Sequence, residues 1–204
     1  QRKSSANTDF GFKGSNMQLL EVARSQLLTS VRLFFNDHDP ISVHTLAGAA
    51  SELLEHLCKN AGEQNFREYM LEGRPELSSK DYSNILNLYK NAFKHVGNTS
   101  KRRERNQHAL QSFNDEQNDT LLYACIFDYM VAKKTLPIEF QVFQVWYLAV
   151  HPDVHLGLLG DLRRLPSFKN LDKQNRSTQK KEGLSAIMAL KTDVQLLSSS
   201  KTES

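Results

Sequence analysis

The chain has 204 residues, 39% of them apolar and 24% charged: enough for one domain with a real core and too little for two large ones. Nine Gly and five Pro argue against an all-β chain of many short turns, and two Cys without C-x-x-C spacing exclude a disulfide scaffold or a zinc ribbon. The net charge of +3, from 26 basic against 23 acidic residues, does not by itself imply a nucleic-acid partner.

Residues 1–15 read as a flexible polar lead-in, and no apolar stretch follows Gln1–Ser5 to make it a signal peptide. Ser15-Asn16-Met17-Gln18 has the S-x-x-Q form of a capping box; Leu19, Leu20, Ala23, Leu27, Val31 and Phe34 then recur at helical spacing up to Phe35. Asn36–Pro40 is a turn. Ser42 caps a second helix, in which Val43, Leu46, Ala47, Ala50, Leu53, Leu54 and Leu57 form one apolar stripe. Its small residues, Ala47–Ala50, let a neighbouring helix approach closely. Gln64–Glu72 predicts a short amphipathic helix broken at Gly73 and Pro75. Ser78 or Ser79 opens a further helix that runs through Ile85, Leu86, Tyr89 and Phe93 into His95.

Residues 97–114 are polar and charged and predict a loop. Glu116–Lys134 and Ile138–Val150 are helices, the second apolar nearly all round through Phe140, Phe143, Val145, Trp146 and Leu148, hence central to the core. After Pro166 the chain turns polar, with Lys173, Arg176, Lys180 and Lys181, before a last amphipathic stretch at Leu184–Leu197. The reading is all-α: an irregular bundle of about six or seven helices over residues 16–165, then a polar basic tail at 166–204. No apolar run reaches the length of a membrane span. Cys58 and Cys125 sit in apolar helical stretches as reduced, buried thiols, so a cytoplasmic protein is expected.

Three candidate sites follow. Asn91, Lys94 and His95 share a helix face at i, i+3 and i+4, close to the stop at Gly97-Asn98. If that helix lies antiparallel to the second one, His44 and Thr45 join them, giving a His/Lys/Asn site for an anionic ligand at a helix start. The same Lys and His also serve as ordinary C-terminal caps. Glu52, Glu55 and His56, or Asp37-His38-Asp39, resemble half of a metal motif, but no second copy exists, so neither a metal nor another cofactor is expected. Finally, Lys101, Arg102, Arg103 and Arg105 cluster in the 97–114 segment and attract phosphate backbones.

With His108, that cluster gives Arg103-x4-His108 and Arg102-x5-His108, spacings that resemble the R-x4–6-H motif of the HEPN superfamily. The resemblance implies a helical, metal-independent ribonuclease or toxin-related enzyme, with Arg stabilising phosphate charge and His moving a proton. A second resemblance rests on Ser42-Val43-His44-Thr45-Leu46-Ala47 with Ala49-Ala50, on Asn91-x-Phe93-Lys94-His95, and on Phe143-x-x-Trp146 before His151-Pro152. This order of motifs over residues 19–155 is similar to a group of uncharacterised bacterial helical proteins, which supports the site as a place without naming its chemistry. The leading expectation is therefore a binding or interaction module for an anionic ligand or a protein partner. RNA is the partner under the ribonuclease reading. Both a monomer and a homodimer are open, and no membrane partner is expected.

Overall fold

The structure, a computed structural model, describes residues 6–73, 76, 78–153 and 168–203, with the backbone path alone for 6–14, 79 and 81–86. Its regular elements are helices α1 (Ala6–Phe35), α2 (Pro40–Ala61), α3 (Phe66–Glu72), α4 (Ser79–Lys94), α5 (Ser100–Ser112), α6 (Gln117–Lys133), α7 (Ile138–Val150), α8 (Arg176–Leu190) and α9 (Val194–Leu197). A 3-10 turn at Leu171–Lys173 precedes α8, and the described residues contain no strand. The all-α class is as expected. The count is not: nine helices form among the described residues rather than six or seven, because α5 occupies the expected loop and the C-terminal stretch divides in two. The lead-in residues 1–5, the break at Pro75 and the turn at Pro166 lie outside the described residues, as do the side chains of Ile85 and Leu86.

α1 starts at Ala6, nine residues before the expected capping box at Ser15. It runs through Gly11 and Gly14, since each costs a growing helix only about 1 kcal/mol. Asp37 takes a left-handed turn at φ 55°, and Asp39, not Ser42, caps α2 by accepting from the Ile41 and Ser42 amides. α1 and α2 thus form a hairpin that packs on α6 and α7. α7 is buried on nearly every side, as its sequence demands. There Phe34, Phe35, Phe143 and Trp146 meet with ring centroids 5.1–5.7 Å apart, mostly edge to face. Each buried ring contributes about 1.5–3 kcal/mol.

The stretch read as a tail is packed into this core. Leu171, Ala186 and Ile187 are buried, Trp146 Nε1 donates to the Gln179 carbonyl at 2.7 Å, and Gly183 lies flat on Phe35. A methyl group at position 183 would sit 2.1 Å from Phe35 Cε1. Beyond α9, Glu203 accepts from Arg24 and Tyr129 at 2.8 Å each, and its amide donates to the Leu136 carbonyl. The amphipathic pattern missed this docking because α8 is held largely through backbone, glycine and charged groups. No helix among the described residues is long and apolar enough to cross a membrane.

Candidate functional site

α2 and α4 run antiparallel, with the start of one beside the end of the other: His44 meets Phe93, and Gly48 meets Lys90. His44 is 2% exposed and boxed by the rings of Tyr89, Phe93 and Phe113 at 5.4–5.8 Å, each nearly perpendicular to it. Asn118 donates its amide to the Pro40 carbonyl at 3.1 Å, which turns its oxygen toward His44 Nδ1 at 3.0 Å. Nδ1 therefore carries the proton, and Nε2 is a buried acceptor without a partner among the described residues. Burial pushes this imidazole down to about 4, against the Asn118 hydrogen bond, which favours the charged form; nearby Lys90 lowers it further. At neutral pH His44 is an uncharged core ring.

The other residues of the anticipated cluster are placed elsewhere. Thr45 Oγ1 bonds the Ile41 carbonyl of its own helix at 2.8 Å. α4 ends at Lys94, so His95 is a capping residue: its amide donates to the Asn91 carbonyl, and it is exposed. Asn91 and His95 each stand two residues from Phe93, about 160° around the helix from the ring that meets His44. Lys94 leans to Glu52 Oε1 at 3.9 Å. The helix start and helix end do meet, but His44 meets the aromatic side of α4, not its polar side. Glu52 also pairs with Lys90, Glu55 pairs with Arg67, and His56 Nε2 bonds Asn60. Among the described residues no three His, Cys, Asp or Glu are grouped to hold a metal ion.

The basic cluster lies on a helix rather than in a loop. Thr99 caps α5 by accepting from the Arg102 amide at 3.3 Å. Gly97 at φ 90° turns the chain so tightly that a Cβ there would sit 2.9 Å from the Arg103 nitrogen. α5 escaped the apolar-period reading because only Asn106 and Ala109 of its thirteen residues are buried. Asn106 anchors it, donating to the His95 carbonyl at 2.6 Å and so closing the end of α4. Every other α5 residue is exposed. On the helix, Lys101, Arg105 and His108 fall on one flank, Arg103 on the other, and Glu104, Gln107 and Gln111 on the crest away from the core. Arg103 and His108 are about 140° apart, and Arg102 and His108 about 120°.

Lys101–Arg105 holds four cations and one anion, the same +3 as the whole chain, so the rest of the molecule is balanced. Among the described residues no carboxylate pairs with those four cations. Arg102 bonds Asn98 Oδ1 at 3.2 Å and Arg103 bonds the Gly97 carbonyl at 3.5 Å, both neutral acceptors.

A second charged cluster had no signal in the sequence, because its members are far apart in it. Arg176 forks onto Asp115 and Asp119 while stacked over Phe34 and Trp146. Lys180, 2% exposed, reaches Asp37 at 2.7 Å and Asp115 at 2.8 Å, and His151 Nε2 meets Asp119 at 2.9 Å. Burial pushes the Asp115 carboxyl up, but hydrogen bonds from Lys180 and Arg176 outweigh it and hold the group below its ordinary range. Two cations, Arg176 and Lys180, face the buried Asp119, the half-buried Asp115 and, at the rim, Asp37. This lock ties α8 to α6 and to the α1–α2 turn, with each cation already held by two carboxylates.

Comparison with protein families, with curated proteins and with solved structures finds no match to the chain.

Proposed function

We propose that the protein is a binding module that docks α5 on duplex DNA. One observation carries the reading: a thirteen-residue helix, exposed except at Asn106 and Ala109, bears a charge equal to the net charge of the chain, on cations that pair with no carboxylate among the described residues. A helix polar all round gains little from packing on its own domain, and its exposed surface is what a partner would cover. The B-form major groove admits an α-helix, whereas the deep, narrow A-form groove of RNA does not. In such a groove Lys101, Arg105 and His108 on one flank, with Arg103 on the other, reach phosphates on both walls. Gln107 and Gln111 on the crest then face base edges, where a glutamine amide reads adenine. No exposed aromatic platform on α5 offers single-stranded bases a stacking surface. The two buried, free thiols of Cys58 and Cys125 fit a reducing, cytoplasmic setting.

The test is fluorescence anisotropy with a labelled DNA duplex, the same sequence as RNA duplex, and a single strand. Duplex DNA should bind most tightly, and Lys101→Ala with Arg105→Ala should weaken it uniformly across sequences. Equal or better binding of RNA contradicts the groove argument.

A further inference from the structure

A cleft of about 30 Å³ opens where α2, α3, α4 and α6 meet, with no residue of α5 in its lining. That volume is two to three times the roughly 10–15 Å³ that admits one water, so a single oxyanion group fits. Its walls present Lys90 and Asn87 from α4, Arg67 from α3, and Ser51 and Glu55 from α2. The cations are unusually placed. Lys90 lays its stem across Gly48, where a Cβ would come within 3.0 Å of Lys90 Cδ, and its side chain is 13% exposed. Arg67 is 31% exposed. Their counter-ions are the more exposed partners: Glu52 at 59%, 2.9 Å from Lys90 Nζ, and Glu55 at 42%, 2.7 Å from Arg67 Nη2.

The asymmetry matters because a cation pinned under helices cannot leave, while a carboxylate at the surface can rotate into water at little cost. An incoming oxyanion therefore replaces Glu52 and Glu55 without leaving any buried charge unpaired. The Asn87 amide, with no hydrogen bond among the described residues, is a further donor on the same walls; the Ser51 hydroxyl beside it is hydrogen-bonded to Cys125. Arg67 supplies a planar fork for two oxygens and Lys90 a point charge for a third.

We propose that this cleft binds the oxyanion end, carboxylate or phosphate, of a small ligand between Lys90 and Arg67. The site is separate from the DNA-docking helix and stands if that reading fails.

The experiment measures thermal unfolding of the full chain in increasing inorganic phosphate, and in a parallel arm acetate, at constant ionic strength set with chloride. The background carries Lys101→Ala and Arg105→Ala, so that α5 does not contribute. A saturating rise in Tm with phosphate assigns a phosphate-bearing ligand, and one with acetate alone assigns a carboxylate; either supports the proposal. Lys90→Gln should raise the apparent Kd by about tenfold, the loss of one charge-assisted hydrogen bond. Glu55→Gln should lower it, because the competing carboxylate is gone. If Lys90→Gln does not fold, Gly48→Ala displaces the Lys90 stem with its charge kept and should weaken binding in the same direction. No saturable rise with either anion overturns the proposal, as does a rise unchanged in the Lys90 or Gly48 variant.

Discussion

Two buried groups in this fold titrate against each other, and Asp128→Asn separates them. Asp128, 6% exposed, accepts the first amide of α3, Phe66 N–H, at 2.6 Å. Burial raises its carboxyl from 3.8 to about 7, only partly offset by that hydrogen bond; Glu55 and Glu68 nearby add to the rise. His44 is depressed from 6.5 to about 4 by burial. Between pH 4 and 6.5 the unfolded chain protonates His44 and the folded chain does not, so stability falls as pH falls. In nearly the same window the unfolded chain has released the Asp128 proton and the folded chain still holds it, so stability falls as pH rises. Each slope approaches about 1.4 kcal/mol per pH unit, and in the wild type they oppose. Asn at 128 keeps an oxygen for Phe66 N–H and does not titrate. The variant should therefore gain on the wild type by roughly 2.5 kcal/mol from pH 5 to pH 7, two pH units at that slope. Its own stability should climb with pH in that range. Urea unfolding at half-unit pH steps measures both curves. A wild-type-to-variant difference that stays constant across the window would falsify the assignment of a buried, protonated Asp128.

Other expectations follow from single contacts. Lys180→Met removes one buried cation from between Asp37 and Asp115 and should destabilise by about 3 kcal/mol in urea unfolding; an effect near zero would mean that the lock does not hold α8. Gly183→Ala forces Phe35 out of its ring cluster and should cost roughly 1–3 kcal/mol, whereas an unchanged Tm would place α8 farther from Phe35 than the structure has it. Asn106→Ala removes the bond to the His95 carbonyl, should cost about 1 kcal/mol, and should speed amide hydrogen exchange within α5 while leaving α6 and α7 protected.

How far the sequence reveals this molecule depends on what holds each element. α2, α6 and α7 are legible because apolar side chains at helical spacing bury them, and that is the signal periodicity reads. α5 is illegible by the same rule, since one cap, one glycine turn and Asn106 hold it rather than an apolar stripe. α8 reads as a tail because the first part of its inward face is Gln179, Lys180 and Gly183, two residues that ordinarily face water and one without a side chain, and only Ala186 and Ile187 after them are apolar. At the candidate site, the antiparallel meeting of α2 and α4 follows from the position of His44 and of Phe93 in their helices. Which side of α4 turns inward does not, because Tyr89 and Phe93 compete with Asn91 and His95 for that face, and burial of rings decides it. The Arg176 and Lys180 lock brings together positions 37, 115, 119, 151, 176 and 180, which only tertiary packing makes neighbours.

The central claim, that α5 carries the cations that engage DNA, is tested most directly by the salt dependence of duplex binding. Neutralising three or four phosphates gives a slope of log Kobs against log salt of about −2.7 to −3.6. With Lys101→Ala and Arg105→Ala the slope should become shallower by about 2. A wild-type slope near zero, or one unchanged in that double variant, would contradict the account.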